Sequence, residues 1–275
     1  MSPDPILALP LDAIDLRKTL TCGQCFRWDE IAPDTYLGVA GGYAAVAEMT
    51  EAAAGKSITL SGQGDAAFWR RYFDLDTDYA AAHAAILAHG GYLRRCAEYG
   101  AGIRILRQEP FEALVSFLIS QCNNIPRIKQ NIGSLCAAYG EPIDFHGQTL
   151  YAFPGPAALA SLDTAALQPL RLGYRAPYVL SAARAVDSGA LDLDALARAD
   201  RETAIARLRE LPGVGPKVAE CAALYGLRQR SGFPVDTWMR RALKEHFPKN
   251  FDPQSLGDCA GLCQQYIFYY TRSNG

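Results

Sequence analysis

The sequence contains no long apolar run, and no stretch approaches the roughly 18 consecutive apolar residues of a membrane-spanning helix. Its N-terminus lacks the basic segment and apolar core of a secretory signal peptide. Low-complexity segments and clear internal repeats are also absent. We therefore expect a globular, cytoplasmic protein with no membrane contact. With 275 residues, 49% of them apolar, the chain is long enough for two packed subdomains.

The eight cysteines do not have the spacing of a metal site. Cys22 and Cys25 form a C-x-x-C pair, but no second pair lies at the distance found in zinc ribbons. Cys259 and Cys263 lie four residues apart near the C-terminus, and they are too few for a four-cysteine iron–sulfur cluster. The sequence thus predicts free thiols, with no metal bound by side chains and no iron–sulfur cluster.

Charged residues are unevenly distributed, although the formal net charge is only −2. Residues 1–100 contain 8 Lys+Arg and 13 Asp+Glu, whereas residues 101–250 contain 18 and 14. A basic middle region favours a polyanionic partner on one face of the protein. The same distribution is also compatible with an ordinary enzyme.

Short β-prone runs occupy the first part of the chain, and helical periodicity occupies the rest. Gly41-Gly42 separates two β-prone runs in the manner of a two-residue hairpin. Strands are predicted at 26–28, 36–40, 43–48 and 57–60. From about residue 67 the period becomes helical, and helices are predicted at 80–87, 92–99, from 110 through 118, and at 125–139, 157–162, 165–170, 176–188, 202–211, 217–225, 237–246 and 256–270.

This pattern predicts an α+β fold that is mostly α. A small antiparallel sheet, at about residues 8–62, belongs to an N-terminal domain of residues 1–104. A larger helical domain of residues 105–275 packs against it and ends in a helix at about residues 256–271. Such a layout says nothing about function by itself.

The segment LPGVGPKVA, residues 211–219, carries the first functional signal. Gly213 and Gly215 permit positive φ and a close approach of another backbone, and Pro216 suits the first position of a new helix. Several unpaired amides then point outward at a helix N-terminus, which is a site for an anion such as a DNA phosphate. This is the helix–hairpin–helix pattern. Read alone, it could also be a plain helix connector.

Two residues near this hairpin are candidates for chemistry. Lys217 lies in the first turn of the new helix, where the helix dipole and partial burial would lower its pKa and make it a nucleophilic amine. Asp236 precedes the next helix and looks like its N-cap. As an anion it could also stabilise positive charge on a sugar whose glycosidic bond is breaking. Read singly, Lys217 could be a surface lysine and Asp236 a cap only.

The order and spacing of five motifs resemble the 8-oxoguanine DNA glycosylases of the helix–hairpin–helix glycosylase superfamily, in a bacterial form. LPGVGPKVAE followed by PVD resembles the superfamily core, and its lysine marks the branch that is also an AP lyase. The other motifs are TCGQCFRW at 21–28, the segment from 107 to 128, LGYRAPY at 172–178 and AGLCQQYIFYY at 260–270. Together they span almost the whole chain.

The resemblance implies a role for each matching residue. Lys217 is the nucleophile and Asp236 the catalytic carboxylate. The Gly23 carbonyl accepts the N7 hydrogen that distinguishes 8-oxoguanine from guanine, Gln264 reads the Watson–Crick edge, and Cys221 and Phe268 sandwich the flipped base. Outside this resemblance, these four would more often be a turn glycine, a surface amide and core packing.

The resemblance also implies a set of residues that contact the DNA itself. Where the lesion has left the helix, the orphaned cytosine is met by side chains, and Tyr174 wedges the stack. The family often has three consecutive asparagines where this chain has Cys122-Asn123-Asn124, so a weakly hydrogen-bonding thiol replaces one amide. Trp238 stands where some members have histidine. The implied set is Cys122, Asn123, Asn124, Arg127, Tyr174, Arg175, Gly213, Val214, Gly215 and Trp238.

The sequence therefore predicts a bifunctional 8-oxoguanine DNA glycosylase/AP lyase of base excision repair, acting as a monomer on double-stranded DNA that contains the lesion. No cofactor is expected, although the resemblance leaves room for a cation held by backbone carbonyls at the hairpin. Two alternatives stay open. One is a glycosylase for another damaged base, and the other is a non-catalytic module that grips DNA phosphates.

Overall fold

The computed structural model describes residues 5–10, 14–52 and 55–274. Its N-terminal part contains a five-stranded sheet of order β1-β5-β4-β3-β2, in which every neighbouring pair is antiparallel. The strands are β1 (Leu7–Pro10), β2 (Trp28–Ala32), β3 (Thr35–Ala40), β4 (Tyr43–Ala52) and β5 (Gly55–Gly62). Gly41 and Gly42, with φ of +54° and +80°, turn the chain between β3 and β4. This confirms the predicted hairpin, because such two-residue turns need positive φ.

Four helices accompany the sheet: α1 (Leu16–Thr21), α2 (Ala66–Tyr72), α3 (Tyr79–Ala88) and α4 (Gly91–Gly100). Trp28, Tyr36 and Trp69 are buried between the sheet and α2. The indole N–H of Trp28 donates to the hydroxyl of Tyr72 at 2.9 Å, so the polar atom of this large ring is paired inside the core. Helix α1 was not predicted, because its six residues span less than two turns and show little periodicity.

The rest of the chain is mainly helical and is organised around α5 (Pro110–Ile119), which is buried almost along its whole length. The other helices are α6 (Ile125–Tyr139), α7 (Pro156–Ala160), α8 (Ala176–Asp187), α9 (Leu193–Arg198), α10 (Arg201–Leu208), α11 (Pro216–Tyr225), α12 (Thr237–His246) and α13 (Ala260–Asn274). Short 3-10 turns lie at Gln168–Leu170, Gly173–Arg175 and Pro253–Cys259. The predicted fold class, a small antiparallel sheet with a larger helical part, is confirmed.

Two predicted helices are corrected by the structure. The helix predicted at 165–170 is a set of turns and a 3-10 segment, since Pro169 supplies no amide hydrogen and Arg171 is left-handed with φ +54°. The last helix begins at Ala260 rather than at about 256. Gly257, with φ +52° and ψ −135°, separates it from the preceding 3-10 turn.

A second hairpin was missed. Strands β6 (Pro142–Phe145) and β7 (Gln148–Tyr151) form a two-stranded sheet. Their turn is His146-Gly147, with both residues at positive φ. Among the described residues, no helix combines the length and the apolar character needed to cross a membrane.

Candidate active site

The predicted hairpin lies between α10 and α11. Gly213 has φ +82°, and a Cβ there would lie only 2.3 Å from the ring of Tyr178, so glycine is required at this position. Gly215 is the N-cap of α11 with φ −81°. The expectation of positive φ is therefore right for Gly213 and wrong for Gly215, which is extended because it leads directly into the helix.

Amide groups remain free at this turn. Val214 donates its N–H to the carbonyl of Leu211 at 3.1 Å, and its side chain is buried. The amides of Gly213 and Gly215 donate to no other residue within the described part of the chain. An anion approaching the N-terminus of α11 would therefore meet unpaired N–H groups and the positive end of the helix dipole.

Lys217 lies on α11 in a partly buried position. Its Nζ is 3.3 Å from the hydroxyl oxygen of Ser120, at the end of α5, and 5.1 Å from the centre of the Phe117 ring. It also lies close to the thiol of Cys221, one helical turn further along α11. The amine is thus held by a polar group on one side and by apolar surface on the other.

Asp236 is the N-cap of α12. Its carboxylate accepts a hydrogen bond from the N–H of Met239 at 2.9 Å, as predicted from its place before the helix. Its side chain is half-buried and lines the same pocket as Lys217. A carboxylate held in this way by the backbone has a fixed position and keeps the rest of its surface free for a positively charged group.

The pocket that contains both residues has a volume of about 670 Å³. Its wall includes Gly23, Phe268 and Trp238, which the sequence analysis had placed at the lesion or on the DNA. Further residues of the wall come from five separate parts of the chain: Phe26, Phe117, Ser120, Gln121, Cys122, Asn123, Asn124, Ile125, Pro126, Ile128, Gly215, Pro216, Val218, Val235, Thr237, Arg240 and Arg272. A cavity of this size and mixed character suits an organic ligand of the size of a nucleobase with its sugar.

Gly23 and Phe268 meet across this pocket. Gly23 has φ +85°, and a Cβ there would lie 3.4 Å from the Phe268 ring. Cys221 is buried on α11 and does not line the pocket, and burial raises the pKa of its thiol to about 11 despite the nearby Lys217. Cys221 is therefore a neutral packing group, and its place in a base sandwich stays a prediction.

Gln264 is buried, on the face of α13 that also carries Phe268 and Arg272, four and eight residues further on. Its Oε1 lies 3.3 Å from the hydroxyl of Tyr225. That hydroxyl lies 2.6 Å from Oε1 of the neighbouring Gln265. The ring of Tyr225 stacks on Phe117 with centroids 5.2 Å apart, directly beneath the pocket wall.

The segment between α5 and α6 carries three of the predicted DNA contacts. Cys122 is exposed and left-handed, with φ +47°. Asn124 caps α6 by accepting from the N–H of Arg127 at 3.0 Å, and the Asn123 amide donates to the carbonyl of Ile119 at 3.2 Å. Arg127 itself is exposed. The side chains of Asn123 and Asn124 thus stabilise the local backbone, and their contact with DNA stays a prediction.

Arg175 is buried, contrary to what a residue that enters DNA would suggest. Its guanidinium donates to the carbonyl oxygens of Gln121, Cys122 and Leu172, with the Nε contact to Gln121 at 2.8 Å. Tyr174 is half exposed and covers Arg175, whose guanidinium carbon is 4.5 Å from the ring centre. Arg175 therefore holds the Cys122 loop in place, whereas Tyr174 is accessible.

The comparisons with known proteins agree with this geometry. Residues 6–114 match the model of the 8-oxoguanine DNA glycosylase N-terminal domain, and residues 115–255, half of the chain, match that of the HhH-GPD superfamily of base excision DNA repair proteins. The chain belongs to the HhH-GPD superfamily. The resemblance drawn from the sequence motifs is thereby confirmed. The predicted division at residues 104 and 105 stays a prediction.

Two solved structures are similar to the chain along most of its length. A structure of MBOgg1 in complex with a low-affinity DNA ligand has a TM-score of 0.89 and 34% identity, covering 96% of this chain and 94% of that one. The 8-oxoguanine glycosylase/lyase of Clostridium acetobutylicum, in complex with double-stranded DNA containing cytosine opposite 8-oxoguanine, has a TM-score of 0.88 and 31% identity, covering 96% and 93%.

A curated relative, the probable N-glycosylase/DNA lyase of Methanothermobacter thermautotrophicus, is 31% identical over 203 residues. The match covers 63% of this chain and 65% of that protein. The chain thus matches somewhat less than two thirds of the length of this relative.

Sequence reasoning missed several residues in and around the candidate site. Ser120, which contacts the lysine, lies inside the motif of residues 107–128 but gave no separate signal. Arg272 could have been found, because it lies eight residues after Gln264 and therefore on the same face of α13. Tyr225 and Gln265 were missed because the first reads as ordinary core and the second as a surface amide, and only the folded chain brings them together.

Two further expectations concern the Cys22–Cys25 pair and a bound metal ion. Cys22 and Cys25 are free and buried, and burial raises the pKa of Cys22 to about 12, which disfavours the thiolate that redox or metal chemistry needs. Within the described residues, no group of three or more His, Cys, Asp or Glu side chains could hold a metal ion. A cation bound by backbone carbonyls at the hairpin involves other atoms and stays a prediction.

Proposed function

We propose that this protein is a bifunctional DNA glycosylase that removes 8-oxoguanine from duplex DNA and then nicks the strand as an AP lyase. The observation that carries the proposal is the convergence of Lys217 and Asp236 on one pocket beside a hairpin with free backbone amides. Its similarity to solved 8-oxoguanine glycosylases over nearly the full chain supports this substrate.

The chemistry assigns one role to each of the two residues. The Lys217 amine attacks C1′ of the flipped nucleotide, so that a C–N bond forms while the glycosidic bond breaks and the base leaves with its electron pair. Asp236, as an anion, stabilises the positive charge that develops on the sugar. The sugar then opens to a Schiff base on Lys217. Loss of a C2′ proton expels the 3′ phosphate by β-elimination, which nicks the strand.

Two residues of the pocket wall, Gly23 and Phe268, support the choice of base. Flipping the nucleotide costs a few kcal/mol of unstacking, and contacts inside the pocket must offset it. The Gly23 carbonyl is proposed to accept the N7 hydrogen that 8-oxoguanine has and guanine lacks. Phe268 and Cys221 cover the two faces of the ring, and Gln264 reads its Watson–Crick edge. One copy of the chain is sufficient for one lesion, and the proposed site of action is the cytoplasm, at the chromosome.

Borohydride trapping tests this proposal. The protein is mixed with duplexes that carry 8-oxoguanine, an alkylated purine or no lesion, and borohydride reduces any Schiff base to a stable adduct. We expect adducts and nicks on the 8-oxoguanine duplex above all. Preference for the alkylated purine would assign another substrate to the same scaffold. Binding without any adduct would assign a non-catalytic DNA-binding module.

A further inference from the structure

A chain of buried hydrogen bonds runs from the Gly23 loop to Gln264. It begins at the carbonyl of Cys22, which can only accept, and which lies 3.0 Å from Nε2 of Gln265. This contact fixes the orientation of the Gln265 amide, so that its nitrogen faces Cys22 and its oxygen faces Tyr225. Gln265 is therefore an acceptor toward the tyrosine.

The hydroxyl of Tyr225 has only one hydrogen. Since Gln265 Oε1 lies 2.6 Å away and can only accept, that hydrogen belongs to this bond. Burial raises the pKa of Tyr225 well above its usual value, so the hydrogen stays in place across the physiological range. What Tyr225 can then offer to Gln264, at 3.3 Å, is a lone pair.

Gln264 is consequently favoured in one of its two amide orientations. A half-turn about the terminal bond of the side chain exchanges the amide oxygen and nitrogen at nearly the same positions. With the nitrogen toward Tyr225, the contact is a hydrogen bond. With the oxygen there, which is how the amide stands in the structure, two lone pairs face one another. The end of the amide away from Tyr225 makes no hydrogen bond within the described part of the chain. It is also not one of the polar side-chain atoms that are fully buried without a hydrogen-bond partner.

Gln264 is buried and does not itself line the pocket, but it lies on the same face of α13 as Phe268 and Arg272, which do, and one helical turn before Phe268. We propose that Tyr225 and Gln265 are positioning residues that turn the oxygen of Gln264 toward the pocket and so make it an acceptor for the base. This inference rests on the proposed function. It deepens that function by naming what selects the base edge.

The consequence is a chemical preference. The Watson–Crick edge of 8-oxoguanine offers the donors N1–H and N2–H, whereas that of 8-oxoadenine has an acceptor at N1. A fixed acceptor at Gln264 can accept hydrogen bonds from 8-oxoguanine, whereas it would face the N1 lone pair of 8-oxoadenine and be repelled by it. An amide that is free to rotate would serve either base.

The decisive variant is Tyr225→Phe, which removes the hydroxyl and keeps the ring that stacks on Phe117. Single-turnover excision is measured on duplexes with 8-oxoguanine or 8-oxoadenine, both opposite cytosine, and strand nicking is measured on an abasic-site duplex. We expect 8-oxoguanine excision to fall roughly three- to tenfold, the worth of one hydrogen bond. Excision of 8-oxoadenine should not fall, so the preference for 8-oxoguanine over 8-oxoadenine should decrease. Nicking of the abasic site, which has no base to read, should stay within about twofold of wild type.

Tyr266→Phe is the matched control. Tyr266 is a buried tyrosine on α13. Its hydroxyl contacts His83 at 3.2 Å and takes no part in the hydrogen-bond chain from Cys22 to Gln264. All three rates should match those of wild type in this variant.

Gln265→Leu gives an independent test. It removes the acceptor that holds the Tyr225 hydrogen, which is then free to bond with the oxygen of Gln264 and turn the amide nitrogen toward the pocket. The ratio of the two excision rates should narrow more than in Tyr225→Phe. The double variant should resemble Tyr225→Phe alone, because Gln265 acts only through the hydroxyl.

Three results would overturn the inference. They are an unchanged excision ratio in Tyr225→Phe, an equal loss in excision and abasic-site nicking, and the same narrowing in Tyr266→Phe. Each of them leaves the proposed function standing as long as wild type excises 8-oxoguanine. A wild-type protein that cannot excise 8-oxoguanine would overturn both.

Discussion

The amine of Lys217 lies 3.3 Å from the hydroxyl of Ser120, so the end of α5 meets the first turn of α11 at the proposed nucleophile. These two helices pack against each other along their length, and α5 is buried almost completely. A flexible lysine side chain is thereby held between a polar atom and the Phe117 ring. Positioning of this kind limits the loss of side-chain freedom when the sugar arrives.

Substituting Lys217 by glutamine should abolish the borohydride adduct and strand nicking, because the amide is not a nucleophile. Binding to lesion DNA should persist, since the hairpin amides are unchanged. Lys244→Gln, at an exposed position on α12, is the control and should trap as wild type does. An adduct in the Lys217 variant would show that another amine is the nucleophile.

Asp236→Asn should slow excision by about a hundredfold or more, the usual effect of removing one electrostatic stabiliser of a transition state. The asparagine can still accept from Met239, so the free energy of unfolding should fall by no more than about 1 kcal/mol. Asp192→Asn, at the cap of α9, removes a similar charge away from the pocket. It should leave the rate unchanged. If the excision rate fell only in proportion to the unfolded fraction, Asp236 would be a helix cap and not a catalytic residue.

DNA affinity should decrease as salt increases, because contacts with phosphates release counterions. Arg240 is exposed at the pocket rim, and Arg240→Ala should weaken binding and reduce the log–log slope by about one. Arg94→Ala, at an exposed position on α4, serves as the comparison. Titrations at several salt concentrations measure both quantities. A slope near zero would mean that phosphates contribute little to binding.

Cys122→Asn should widen the preference for cytosine opposite 8-oxoguanine. An amide can hydrogen-bond an orphaned base far better than a thiol, and one such contact contributes at most about 1 kcal/mol when other contacts remain. Asparagine also tolerates the left-handed backbone at this position. Excision with each of the four opposite bases tests the idea. An unchanged preference would place residue 122 away from the orphaned base.

Stability should depend on pH through His83. Burial lowers the pKa of His83 below 6.5, with Glu98 opposing the shift and the Tyr266 hydroxyl in contact. The unfolded chain then binds the His83 proton more tightly than the folded chain does. The folded state therefore has its full stability above pH 6.5, and it loses the contribution of the neutral imidazole as the pH falls through the lower pKa of folded His83. His83→Gln should show a smaller change in urea midpoint between pH 7.5 and 5.5. An equal change would assign the pH dependence to other groups.

Secondary structure was predicted correctly from the sequence where a turn signal, a helix cap or a hydrophobic period is strong. Gly41-Gly42 located a hairpin, and the bounds of α6 and α12 were predicted from periodicity and capping. The second hairpin at residues 142–151 was missed because its strands have four residues each and its turn is His-Gly. The break at Gly257 was missed because a single glycine within an apolar pattern does not reveal its φ.

Within the site, motif positions were predicted better than side-chain partners. The motifs placed Lys217 and Asp236, and the structure brings both to one pocket. Two of the three carbonyls that Arg175 contacts belong to a loop 53 and 54 residues earlier in the chain, and no local pattern encodes such contacts. The same applies to the contact of Tyr225 with Gln265, 40 residues apart.

The bond between the Cys22 carbonyl and Gln265 joins residues 243 positions apart. Closing so long a loop is entropically costly and is not assisted by local structure. During synthesis, α11 leaves the ribosome well before α13, so the nucleophile exists before Gln264 and Phe268, which are proposed to read and cover the base. We therefore regard selectivity as the last property that this molecule acquires as it folds, and destabilisation of α13 should cost discrimination before it costs strand cleavage.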